Sequence, residues 1–203
     1  MKRGALWTGL ALLPAGWVMA SGRFGMTGHM AGHMVAVAVA APCLAIGIAG
    51  TRSDPAARFP AIVNPLAMSL LELVVVWLWH LPSLRAAVAM HPAALVAEQA
   101  SFLVAGLLLW SAALGSAQGG ATERRLGGIA ALLLTSMHMT LLGALIGLAP
   151  RPLYPAHMVA HGLSPLADQQ LGGVVMLTIG AASYFIGGLA MLAGILRHRS
   201  VAA

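Results

Sequence analysis

Residues 27–50 read TGHMAGHMVAVAVAAPCLAIGIAG, twenty-four residues without one Asp, Glu, Lys or Arg. A bilayer core needs about 20 consecutive, mostly apolar residues per helix, so this stretch is long enough to cross one. Further apolar runs cover 5–20, 61–80, 93–115, 126–149 and 170–196. Gly, Pro or charge closes each run, as at Arg52-Ser53-Asp54-Pro55, Pro82, Pro92, Gln118-Gly119-Gly120, Pro150-Arg151-Pro152 and Arg197-His198-Arg199. Only 8% of the chain is charged and 60% is hydrophobic; a soluble domain carries roughly 25% charge. That excludes a water-facing shell around a core. No alternation of polar and apolar residues suggests a barrel, and helices are the other structure that satisfies its own backbone in lipid. The expectation is an all-α integral membrane protein: one polytopic domain over 1–203, a bundle of about six transmembrane helices. Lys2-Arg3 and the ending Val18-Met19-Ala20-Ser21 also resemble a signal peptide, whose removal would leave five.

Charge orients the bundle. Eleven basic residues stand against five acidic ones, for a net charge of +6. With the N-terminus inside, the inner segments hold Lys2, Arg3, Arg52, Arg58, Arg124, Arg125, Arg197 and Arg199, and the outer ones only Arg23, Arg85 and Arg151. Cytoplasmic loops concentrate Lys and Arg, so both termini are expected inside a bacterial inner membrane. The basic excess is thus a topology signal spread over loops, not a nucleic-acid surface. A single cysteine, Cys43, excludes a disulfide framework and a Cys-rich metal cluster.

Under that topology seven of the eight histidines lie on or within reach of the outer face. His29 and His33 open the second run, His80 closes the third, and His138 stands mid-way along the fifth. His91, His157 and His161 lie in outer loops. The i,i+4 spacing stacks His29 and His33 on one helix face, with Met30 and Met34 on the next. Two imidazoles one turn apart can hold one metal ion, and neighbouring thioethers favour a soft one, Cu(I) ahead of Cu(II). A metalloprotease helix would need Glu where Met30 stands. Gly28 and Gly32 form a GxxxG step that admits a close neighbouring helix. Alone, such a pair reads equally as interfacial polar side chains, and Met as a filler of helix cores. Yet Met30, Met34, Met90, Met137, Met139 and Met158 each sit within one residue of a histidine, which favours the metal. His157-Met158-x-x-His161 repeats the spacing and is expected to be a second, shallower copper stop, or merely a short interfacial helix.

Polar groups inside lipid are costly and functional by default. Glu72 and His138 are therefore expected either in ion chemistry or in interhelical hydrogen bonds. Glu98, near the start of the fourth span, is expected as a ligand, a proton carrier or a first-turn partner of the helix dipole. Asp168 follows Ser164-Pro165, an N-cap and N1 pair, and reads as charge at a helix start. Cys43, fourteen residues beyond His29, reads as a packed small residue.

Read in order, these segments resemble the multi-spanning CtaG family, assembly factors linked to copper-containing cytochrome c oxidases. The resemblance runs through His29-Met30-x-x-His33-Met34, Ala41-Pro42, Trp79-His80-Leu81-Pro82, and Glu98 ahead of Phe102-Leu103 and Gly106-Leu107-Leu108. It continues in Pro152-Leu153-Tyr154-Pro155 and ends in Leu163-Ser164-Pro165-Leu166-Ala167-Asp168-Gln169-Gln170-Leu171-Gly172-Gly173, covering roughly residues 28–185. It implies a non-enzymatic role in which copper is taken from a periplasmic donor and supplied to the oxidase catalytic subunit. A metal set of His29, His33 and His80, completed from Met30, Met34, Glu98 and His138, with His157 and His161 in the loop, would carry that role. Homo-oligomerisation stays open. Two departures stand out: Gln99 occupies a position where the family often has His, and the chain is shorter than typical seven-span members.

Two other readings remain at this stage. Haem between helices would use axial His or Met, as in a cytochrome b-like electron carrier. A copper or proton transporter would use Glu72 and His138 as inward steps.

Overall fold

A computed structural model of the chain describes residues 2–117, 122–154 and 162–201, and among these every regular element is helical. The order is α1 (Lys2–Ala20), α2 (Gly25–Met34), a π-helical segment (Val35–Ala40), α3 (Ala41–Ile48), the short α4 (Pro55–Arg58), α5 (Pro65–Trp79), α6 (Pro82–Met90), α7 (Pro92–Ala117), α8 (Thr122–Gly147) and α9 (Pro165–Val201). Five of these begin on proline, whose fixed φ suits the first helical position and whose missing N–H would have no helical acceptor there. Side chains cap three of those starts: Asn64 accepts from the Ala67 N–H at 2.9 Å, Asp54 from the Ala56 N–H at 3.0 Å and Ser164 from the Ala167 N–H at 3.2 Å.

The stretch 25–48 is one continuous span with a widened middle. Pro42 has no N–H, so the Ala38 carbonyl four residues back loses its helical donor. The helix opens into π turns over Val35–Ala40, and side chains of other helices take up the released carbonyls. Ser183 Oγ donates to the Ala38 carbonyl at 2.6 Å, and Trp110 Nε1 and Tyr184 Oη reach that of Val37 at 3.1 and 3.2 Å. A proline that weakens one helix thereby binds α7 and α9 to it.

Four segments are long and apolar enough to cross a membrane: 25–48, 92–115, 123–147 and 165–197. α5 and α6 qualify only as a pair, bent by 70°. The third expected run, 61–80, therefore begins later, at Pro65, and breaks at His80-Leu81, because Pro82 disfavours helical backbone in the residue before it. The last run begins five residues earlier than expected, at Pro165. α1 is helical for 19 residues but is not among the spans that qualify; Lys2 and Arg3 at its start, with Pro14 and its glycines, lower its mean hydropathy.

Cross-links set the directions of the helices. Lys2 Nζ donates to the Ala49 carbonyl at 2.9 Å, making α1 antiparallel to α2–α3. Gln170 Nε2 reaches the Ala149 carbonyl at 3.3 Å, turning α9 back along α8. One end of the bundle thus gathers the starts of α2, α7 and α9 with the ends of α5 and α8. Lys2 and the end of α9 lie at the other.

Glycine permits the closest crossings. The Gly28 and Gly32 step packs on α1, where a Cβ on Gly32 would stand 2.8 Å from the Ala20 Cβ. Between α8 and α9, a Cβ on Gly143 would stand 2.8 Å from the Leu177 nitrogen and 2.9 Å from the Gly173 oxygen. Backbone cannot yield as a flexible side chain can. Gly143→Ala should therefore destabilise the bundle by about 1–3 kcal/mol, read as a lowered midpoint of thermal unfolding in detergent.

Candidate metal centre

The π segment and Pro42 leave the first turns of α2 regular, so residues 28–34 present three successive faces. Gly28 and Gly32 face α1. Met30 lies against α9, where its Cγ is 3.0 Å from the place of a Gly172 Cβ, and the Met34 sulfur is 3.2 Å from that of Gly180. His29 and His33 occupy the face between and meet His80 and Phe102.

These three imidazoles form a compact triangle. Ring centres are 5.6 Å apart for His29–His33, 5.7 Å for His29–His80 and 5.0 Å for His33–His80. Three imidazoles around one ion, each nitrogen about 2.0–2.1 Å from it, have ring centres about 5 Å apart. The spacing therefore matches a shared ion, although among the described residues no three His, Cys, Asp or Glu side chains are yet posed to hold one. Phe102 closes one side, its ring centre 4.8 Å from that of His33.

Hydrogen bonding tells the same story. His29 and His33 are completely buried and His80 nearly so, yet both nitrogens of His29, both of His33 and Nε2 of His80 lack any hydrogen-bond partner. His80 Nδ1 lies 2.6 Å from the Val76 carbonyl. A carbonyl only accepts, so Nδ1 carries the proton and the Nε2 lone pair is free to ligate. Tyr154, in the loop before α9, donates its hydroxyl to the His80 carbonyl at 3.1 Å. Burial pushes this phenol up to about 12, so it stays protonated and remains a donor at neutral pH.

Beside the triangle lies a buried ion pair. Arg85 NH1 donates to Glu98 Oε1 at 2.5 Å, and the other carboxylate oxygen is 3.7 Å from His29 Nδ1 and 3.3 Å from Gln99 Nε2. Glu98 therefore borders the imidazoles while its charge is engaged by Arg85. Arg85 belongs to the site although the sequence offered it only as a loop charge. The available signal was Glu98 itself, since a carboxylate buried in lipid needs a cation and Arg85 is the basic residue nearest in sequence. Gln99 serves as a donor to Glu98.

Other expected residues fall elsewhere. His138 is buried with neither nitrogen bonded, but no ring contact among the described residues joins it to the three histidines. Glu72 accepts from the Tyr184 hydroxyl at 2.5 Å, the interhelical hydrogen bond that was one of its two readings. His157 and His161 lie outside the described residues.

Asp168 does more than charge its own helix. Ser164 Oγ accepts from the Ala167 N–H at 3.2 Å and caps α9, while the Asp168 carboxylate reaches across to the start of α2. Oδ2 accepts from the Met26 N–H at 2.6 Å, and Oδ1 from the Thr27 N–H at 3.2 Å and the Thr27 hydroxyl at 2.7 Å. The free N–H groups just ahead of His29 are thus held by a residue 141 positions away. Asp168→Ala should cost about 2 kcal/mol, the upper range for a lost cap, and Asp168→Asn less; thermal unfolding in detergent measures both.

Against known proteins, no curated protein and no solved structure matches the chain. One family model does, that of the cytochrome c oxidase caa3 assembly factor, and it matches residues 4–198, nearly the whole chain. A helical membrane bundle with this match belongs to the family of cytochrome c oxidase caa3 assembly factors.

Proposed function

We propose that the protein carries copper as cargo to a cytochrome c oxidase, holding the ion between His29, His33 and His80 and releasing it to the oxidase catalytic subunit. The observation that carries this reading is the set of five buried imidazole nitrogens without hydrogen bonds on three rings whose centres lie 5.0–5.7 Å apart. Imidazole accepts both Cu(I) and Cu(II). Cu(I) suits the setting better, because a single charge costs less to bring out of water.

Each group has a part. Val76 and Tyr154 fix the His80 turn, so one lone pair is presented from the break between α5 and α6. Asp168 fixes the start of α2 and so the height of His29 and His33. Glu98 adds negative charge beside His29, while Arg85 keeps that carboxylate from closing the coordination sphere. Three ligands hold an ion and leave a position through which an incoming ligand can exchange it, whereas a closed four-ligand cage would retain it. The distribution of Lys and Arg supports an outer, periplasmic position for the histidine end, where a periplasmic donor would meet it.

The haem alternative is disfavoured by the same triangle. Axial ligands must face one another across a flat macrocycle, whereas these ring centres lie only 5.0–5.7 Å apart with Phe102 packed against that of His33.

Purified full-length protein should bind copper, with one ion per chain at the histidine cluster. His29→Ala combined with His33→Ala should remove one copper per chain with helix content unchanged, by elemental analysis and circular dichroism. In cells, the same double variant should leave the oxidase deficient in copper. A double variant that binds copper as the parent does would defeat the reading.

A further inference from the structure

We propose a second soft-metal site, made of thioethers alone, on the face of α2 that turns away from the histidines: Met30, Met34, Met139 and Met176, suited to Cu(I). All four side chains are fully buried and belong to one apolar core. Gly172, Met176 and Gly180 recur every four residues on α9 and share one face. Gly172 meets Met30, and Gly180 meets Met34. Met176 stands midway between those two contacts, so the register sets it between Met30 and Met34. α8 supplies the fourth: a Cβ on Gly180 would stand 3.2 Å from both the Met139 Cβ and the Met34 sulfur, so the two methionines close on the same point of α9. Three helices thus bring four thioethers into one layer.

The chemistry of that layer is selective. Thioethers bind Cu(I) and comparable soft ions and discriminate against harder divalent ions, which imidazole accepts. The Glu98 and Asp168 carboxylates are engaged elsewhere, by Arg85 and by the start of α2. Met30 directly follows His29 and Met34 directly follows His33. An ion can therefore move round α2 from imidazole to thioether by stepwise ligand exchange. The site deepens the copper reading by giving Cu(I) a place that excludes Cu(II), but binding of a soft ion there does not require the histidines.

Silver(I), a soft ion without redox chemistry, is the probe. Full-length protein in detergent is freed of unbound silver and its metal content measured. The triple variant Met34→Leu, Met139→Leu and Met176→Leu, whose leucines nearly conserve volume, should bind one silver fewer than the parent. His29→Ala with His33→Ala should retain that silver. A second measurement needs no variant: in protein labelled with 13C at the methionine methyls, silver should shift the four resonances of these residues. An unchanged silver count in the triple variant, or no methyl shift in the parent, would overturn the proposal. A histidine double variant with unaltered copper binding would overturn the imidazole site instead, leaving the thioether site standing.

Discussion

Five imidazole nitrogens without partners, shut away from water at one end of a membrane bundle, are the constraint around which the rest is arranged. Each buried polar atom left unpaired costs about 1–3 kcal/mol. Five together are comparable with the whole stability of a typical folded protein, about 5–15 kcal/mol. A fold that keeps them needs something to occupy them, and their spacing favours a small ion over a water network. Burial acts in the same direction, since a ligand nitrogen with no competing hydrogen bond loses little on binding a metal.

Several other buried polar groups are tied across helices. Pro42 frees a carbonyl, and Ser183 takes it. The start of α2 exposes N–H groups, and Asp168 takes those. Glu98 carries charge into the interior, and Arg85 meets it. Each of these repairs joins helices distant in sequence, so the polar groups that lipid would penalise become the ties that fix helix positions. The ties converge on α2: Asp168 holds its start, α1 packs on its glycines, and α7 and α9 hold the carbonyls below.

Much of this was legible in the sequence. The apolar runs and the near absence of charge imposed a helical membrane bundle, and the His-Met-x-x-His-Met step announced both an imidazole face and a thioether face. His80 was found because it ends a run ahead of proline. What could not be read was which helix each face would meet. Residues 29, 30 and 32 lie on three faces by periodicity alone, but whether the thioethers join the imidazoles depends on helix placement, and the structure turns them toward α9. Arg85 was passed over because a basic residue between two prolines looks like an ordinary loop charge until Glu98 is seen beside it. The bend at Leu81 and the shortfall of α1 as a span likewise depend on tertiary packing and summed hydropathy, not on any single residue.

The most direct test is an X-ray absorption spectrum of the full-length protein loaded with one equivalent of copper. Coordination by His29, His33 and His80 predicts a shell of three nitrogens at about 2.0 Å, with the outer-shell scattering characteristic of imidazole rings. A spectrum without imidazole scattering would contradict the account.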